Sequence, residues 1–318
     1  MARVIRIHEN GDPSVLRIED EQVGAPGRGE VRLVQEAIGI NFVDGMVREG
    51  VYPQALPTIP GFEAAGVIAA VAPDVTAFAP GDRVAYFFSA GAYATERTLS
   101  SAALVRLPDD IPTVTAARFL ATGLTAWVGL RVLHPLRAGE TALILGASGS
   151  VGSMLSRWAR DLGATVIGVA GSPGKIGQVR AGATHALLAG EPAIVDRIHA
   201  TAPGGVDVVY DLVGQATFDL ATAALRTGGT IVTLGAASGQ PRPDASELAR
   251  RHIAVRGGGM PQFVRGSTVD VATSELWDAL RKGVFADLRT VEYSFTDVVR
   301  AHVDMAGRKL EGLPVLIV

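Results

Sequence analysis

Residues 141–152 read TALILGASGSVG, an apolar run that gives way to small residues. The first part suits a buried strand and the second a tight turn into a helix. A dinucleotide-binding turn has the form GxGxxG, because its glycines permit a sharp bend, a close backbone approach to phosphate and a close helix–strand contact. Here Ala147 takes the first glycine slot, with Gly146, Gly149 and Gly152 around it. Small residues at Ser148 and Ser150 keep the turn narrow, and Val151 opens the apolar face of the next segment. Glycines also serve turns that bind nothing, so the surrounding sequence decides the reading.

Similar apolar runs follow: TVIGVA from Thr165, HALL from His185, VDVVYDLV from Val206, TIVTLG from Thr230 and IAVRGG from Ile253. Segments with helical period separate them. In VGSMLSRWARDLG, Val151, Leu155, Trp158 and Leu162 share one helical face, and Gly163 supplies a stop. Six strands with intervening helices predict an α/β fold built on a Rossmann-type, doubly wound parallel sheet. Before about Thr113 the pattern changes to short strand-like runs broken by turns such as NGDP and PGRG, which predicts an antiparallel β domain. After Gly259, TSELWDALRKGVF has helical spacing and LPVLIV ends the chain as a strand. The boundaries expected are 1–118 and 260–318 for the β domain and 119–259 for the wound sheet.

Composition narrows the function classes. The 318 residues are 48% hydrophobic and 19% charged, enough to bury a sizeable core, and the net charge of −3 comes without a Lys/Arg block. Nucleic acid is therefore not an expected partner. No apolar run approaches the roughly 20 residues that span a bilayer, so no membrane partner is expected either. MARVIRIHENGD lacks the apolar centre of a signal peptide, and the expectation is a cytoplasmic protein with small-molecule partners. Cysteine is absent, which removes disulfides, thiolate nucleophiles and Cys-based metal sites. The six histidines are scattered with no i, i+4 pair, so no metal site is expected.

The stretch after the glycine-rich turn bears on the choice of dinucleotide. An acidic residue about 20 positions on would hydrogen-bond a ribose 2′-OH. Between Asp161 and Glu191 no acidic residue occurs, and the second strand ends in AGSPGK. Ser172 and Lys175 stand where a 2′-phosphate would lie, and a phosphate calls for donors and positive charge. The expected cofactor is NADPH. Lys175 and the nearby Arg180 also fit an ordinary solvated surface.

Several stretches in order, AIGINFVDGMVREGVYP (37–53), IPGFEAAGVIAAVAPDV (59–75), GDRVAY (81–86), FLATGLTAW (119–127), LILGASGSVG and VVYDLVG (208–214), resemble the medium-chain dehydrogenase/reductase superfamily. The closest likeness is to its zinc-free quinone oxidoreductase, or zeta-crystallin-like, branch. The resemblance implies a GroES-like antiparallel β domain, a Rossmann domain, a substrate cleft between them and a homodimer. It implies NADPH-dependent reduction of a quinone or conjugated carbonyl substrate.

Zinc-dependent relatives carry Cys at the position of Asn41 and GHE where this chain has Gly61, Phe62 and Glu63. Without the metal an alkoxide has no Lewis acid, whereas a conjugated acceptor needs only a hydrogen-bond donor and a proton. By resemblance Asn41 lies beside the nicotinamide ribose and Tyr52 lines the substrate pocket, the two residues expected to be catalytic. Asn41 is equally a turn-former, Tyr52 a packed loop residue, and Asp44 a helix-start cap. Thr125, Leu234, Gly235, Gly259 and Met260 correspond to positions around the nicotinamide, and Val213 is expected among the cofactor-binding residues. Arg308 matches a basic residue that reaches the 2′-phosphate in bacterial relatives. A tyrosine that stacks at the adenosine end in those relatives is replaced by Ala189.

Two alternatives remain open from the sequence. One is an enone, alkenal or enoyl-thioester reductase, which aims the same hydride at a carbon–carbon double bond. The other is a non-catalytic, crystallin-like NADPH-binding protein. Short-chain dehydrogenase chemistry is discounted because no Tyr-x-x-x-Lys pair occurs, and a GxSxG elbow would need glycine at Ser150.

Overall fold

The computed structural model describes residues 1–318. The chain divides into two compact units, Met1–Ala121 with Arg289–Val318, and Thr122–Leu288. The second unit contains the six expected strands. In spatial order they are His185–Leu188, Thr165–Ala170, Thr141–Leu145, Val206–Asp211, Leu225–Thr233 and Ala254–Gly257, all parallel. In chain order this is 3-2-1-4-5-6, the dinucleotide-binding arrangement whose crevice lies between the first and fourth strands. Ala142 to Leu145 and Val208 to Tyr210 are fully buried. Such unbroken burial is what helices on both faces of a parallel sheet require.

The first unit is mainly antiparallel. Its seven-stranded sheet runs Thr290–Ser294, Leu313–Ile317, Glu30–Gly39, Ala64–Val71, Arg83–Tyr86 and Leu104–Arg106, with Glu96–Ser100 also paired to Glu30–Gly39. Thr290–Ser294 and Leu313–Ile317 are parallel to each other. A two-stranded ribbon, Ala2–Arg6 with Arg17–Glu21, completes the β structure. In Glu30–Gly39, Val31, Leu33, Gln35 and Ala37 are buried at the period of two expected for a strand with one face on a core. Buried Gln35 is satisfied: its amide donates to the carbonyl oxygens of Ala92 (2.8 Å) and Ala94, and its oxygen accepts from the Tyr86 hydroxyl.

A short helix, Phe42–Arg48, interrupts the β unit at the helix start expected near Asp44. One feature departs from the sequence reading: residues 260–288, expected to join the first domain, belong instead to the second unit. Helix Thr268–Arg281 buries Leu276 so closely on Gly123 that a Cβ at Gly123 would meet Leu276 Cδ1 at 2.5 Å. Just beyond it Arg157 donates to both carboxylate oxygens of Asp287, at 2.7 and 2.6 Å. The strand expected at the C-terminus forms and pairs with Ala37–Gly39.

Candidate active site

The glycine-rich turn follows strand Thr141–Leu145 and leads into helix Ser150–Asp161. Gly146 has φ +81°, a conformation that favours glycine. A Cβ at Gly152 would lie 2.3 Å from the Gly146 carbonyl oxygen, so only glycine lets the helix start against the strand end. Ala147 is 1% exposed, packs inward and donates its N–H to the Val169 carbonyl at 3.2 Å. Alanine in the first glycine slot is thus a core residue.

Gly149 differs from its neighbours. Its φ is −76°, and a Cβ there would meet only the Gly146 oxygen, at an ordinary 3.4 Å. The fold itself has room for a side chain at Gly149. No side chain caps the helix that begins beside it, so the first-turn N–H groups of Ser150, Val151 and Gly152 are directed to the open end. Donors at a twelve-residue helix start, with the approach kept bare by a glycine the fold does not need, fit a pyrophosphate.

The loops around this turn are braced by Asp211, at the end of the fourth strand. Its Oδ1 accepts from the N–H groups of Val213 (2.8 Å) and Gly214 (3.0 Å) and from the Thr217 hydroxyl (2.9 Å). Burial raises its pKa against these donors. Ser238 donates N–H and hydroxyl to the Val213 carbonyl, each at 2.8 Å, which ties the loop after the fifth strand to it. A Cβ at Gly235 would strike the Leu212 oxygen at 2.6 Å, and the Gly146 Cβ position lies 3.2 Å from Val213 Cγ2. Gly146 to Gly152, Val213, Leu234 and Gly235 therefore gather at the C-terminal ends of neighbouring strands.

Ser172 and Lys175 lie in the connection after Thr165–Ala170, the strand beside the glycine-rich turn, with Ser172 exposed and Lys175 half-buried. Thr125 is half-buried on helix Thr113–Trp127. Gly259 precedes the short helix Met260–Phe263, where Met260 is buried. Arg308 belongs to the other unit: it is exposed, with φ +54°, in the turn after helix Val298–Ala306.

In the first unit Asn41 begins helix Phe42–Arg48, and its N–H donates to Asp44 Oδ2 at 2.8 Å. The Asn41 amide nitrogen donates to Glu63 Oε2 at 2.9 Å, and the Ala121 N–H donates to Glu63 Oε1 at 2.6 Å. Glu63 is 1% exposed, and burial pushes its pKa up to about 8 although both donors pull it down. Gly39 makes this possible, since a Cβ there would lie 2.5 Å from Glu63 Oε2. Asp44 is fully buried, accepts from the Tyr93 hydroxyl at 3.0 Å, and is pushed up to about 7 by burial. Tyr93 in turn lies 2.9 Å from His302 Nε2, whose pKa falls to about 3 through burial and the nearby Arg48.

Tyr52 is 39% exposed, with its ring edge-on to Phe62 at 6.1 Å. The adjacent residues Phe62 and Glu63 thus serve both predicted residues, one packing on Tyr52 and the other holding Asn41. Sequence reasoning passed over this bracing role of Glu63 and that of Asp211. An aspartate between a strand and a glycine is an Asx-turn signal that marks Asp211; no such local signal marks Glu63.

Comparison with known proteins agrees with this geometry. Residues 27–109 match the alcohol dehydrogenase GroES-like domain family, and residues 150–274 the zinc-binding dehydrogenase family. The quinone oxidoreductase of Pseudomonas aeruginosa is 34% identical over 327 aligned positions, covering 100% of both chains. This chain belongs to the quinone oxidoreductase branch of the medium-chain dehydrogenase/reductase superfamily. A 2-haloacrylate reductase of Burkholderia is 33% identical, covering 98% of this chain and 97% of its own. The structure of Escherichia coli quinone oxidoreductase complexed with NADPH superimposes with a TM-score of 0.94 at 30% identity, covering 100% of each chain.

The zinc after which the matched dehydrogenase family is named does not suit the residues that stand at the metal-binding positions in this chain. Asn41 presents an amide nitrogen already donated to Glu63, and Phe62 presents a phenyl ring stacked on Phe88. Neither is a zinc ligand.

Glu63 gives a testable pH dependence. Its folded pKa, about 8, exceeds the ordinary 4.5, so between these values the folded state holds more protons than the unfolded one. Stability then falls as pH rises through that window. Glu63→Gln removes this contribution, and its melting temperature relative to the wild type should rise between pH 5 and 8, by at least roughly 2 °C. Parallel melting profiles would show that Glu63 does not titrate there.

Proposed function

We propose that this chain is an NADPH-dependent quinone reductase that works without zinc. The observation that carries the reading is the replacement of a metal-binding set by the Asn41–Glu63 hydrogen bond and the Phe62 ring. An acceptor reduced there has to delocalise its own developing charge, which a quinone does.

Bound NADPH supplies a hydride from C4 of its nicotinamide, which with one proton converts a quinone to a hydroquinone. The chain supplies binding and charge. The N–H groups at the start of helix Ser150–Asp161 meet the pyrophosphate, and Gly149 leaves it space. Ser172 and Lys175 hold the 2′-phosphate, in a stretch that has no acidic residue between Asp161 and Glu191, and Arg308 adds charge to the same group. Thr125, Val213, Leu234, Gly235, Gly259 and Met260 surround the nicotinamide. Asn41, fixed by Glu63, hydrogen-bonds the nicotinamide ribose, and Tyr52 donates its hydroxyl to the oxygen that gains charge.

The 2-haloacrylate reductase relative favours a second reading, hydride addition to an activated carbon–carbon double bond. NADPH oxidation followed with a panel of quinones and enones separates the two. The expected outcome is turnover of quinones with kcat/KM at least about tenfold above that for enones; turnover of enones alone would overturn the proposal. Lys175→Ala should weaken NADPH binding about tenfold, the loss of one charged hydrogen bond, and leave NADH binding unchanged. Equal, unaltered affinities for both cofactors would remove Lys175 from the 2′-phosphate site.

A further inference from the structure

Phe88 has φ +56°, in the left-handed region. Three other non-glycine residues share this conformation, Ala193, His252 and Arg308, so Phe88 is the one large apolar side chain among them. A bulky residue in that conformation is strained, a cost the surrounding structure has to offset. Core packing does not explain the expense, because the Phe88 side chain is 45% exposed.

The backbone around it is pinned. Ser89 N–H donates to the Phe62 carbonyl at 3.1 Å, Ala92 N–H to Gly61 at 3.1 Å and Tyr93 N–H to Pro60 at 3.0 Å. These bonds lay residues 89–93 along 60–62 and hold the Phe88 ring on the Phe62 ring, with centroids 5.4 Å apart and planes 23° apart. Phe62 is 6% exposed and stands edge-on to Tyr52. The three rings form a shelf with a buried centre, one open aromatic ring and a tyrosine beside it. The shelf adjoins the proposed site through the chain itself, since Phe62 precedes the Glu63 that holds Asn41.

Resting on the reading above, we propose that Phe88, backed by Phe62 and flanked by Tyr52, determines acceptor specificity by stacking a planar, fused-ring quinone. A phenyl face carries negative potential, and a quinone ring is electron-poor, so the open ring of an existing stack attracts a third ring of that kind. The gain grows with overlapped area. A fused-ring quinone covers the Phe88 ring, a single-ring quinone covers less, and an acyclic enone has no ring to place.

The test compares steady-state reduction of 9,10-phenanthrenequinone, 1,4-benzoquinone and methyl vinyl ketone by the wild type, Phe88→Leu and Phe88→Tyr. Phe88→Leu keeps apolar bulk without a π face, and should lower kcat/KM for phenanthrenequinone about tenfold while changing methyl vinyl ketone less than about twofold. Phe88→Tyr restores the planar ring and should stay within about twofold of wild type on all three. Loss of equal size on every acceptor, or no loss on phenanthrenequinone, would overturn the shelf while leaving quinone reduction standing. A wild type that reduces neither quinone would overturn the functional reading, and the shelf with it.

Discussion

The closest approach of a glycine to the backbone in the second unit is that of Gly152 to the Gly146 carbonyl, where even a methyl group would sit at 2.3 Å. It forces the first helix to start directly against the end of the first strand. The helix therefore offers its unbonded N–H groups at the C-terminal edge of the sheet, where the strand order reverses. The neighbouring loops depend on the same edge. Asp211 gathers three donors around one oxygen to close the loop after the fourth strand, and Ser238 draws in the loop after the fifth.

The first unit follows a comparable logic with a carboxyl group at its centre. Gly39 leaves the space that Glu63 fills, and Glu63 holds both the Asn41 amide and the Ala121 N–H. A charge buried this deeply is costly, and the raised pKa is that cost expressed as proton affinity. Asp44, Tyr93 and His302 continue the polar structure from the helix at Phe42–Arg48 to the helix at Val298–Ala306. Zinc-dependent members of the superfamily carry metal ligands at the positions of Asn41 and Phe62. Here those positions carry a hydrogen bond and an aromatic stack, the arrangement on which the proposed zinc-independent reduction of a self-stabilising acceptor rests.

Much of this was legible in residue order. The runs of the inner strands announced themselves because parallel strands buried on both faces need no alternation, and the two edge strands, more exposed, were read from the same βα spacing. The glycine-rich turn was legible because its steric demands are local. The placement of residues 260–288 was not: helical period says that a helix forms, not which unit it packs on. The deciding contacts, Leu276 on Gly123 and Asp287 on Arg157, join distant parts of the chain. Glu63 was visible only as part of a departed metal motif, since its partners are 22 and 58 residues away. Phe88 was hidden altogether, because a positive φ leaves no mark on a phenylalanine in the sequence.

The turn at 146–152 is, on the proposed function, shaped for a dinucleotide and not merely for its own folding. Gly149 separates the two, since the fold tolerates a Cβ there and a pyrophosphate bound as proposed would not. The direct measurement is NADPH affinity by calorimetry for Gly149→Ala beside wild type, with melting temperatures of both. The expected result is a melting temperature within about 3 °C of wild type and a Kd for NADPH raised at least about tenfold. Unchanged NADPH affinity in a stably folded Gly149→Ala protein would contradict the claim.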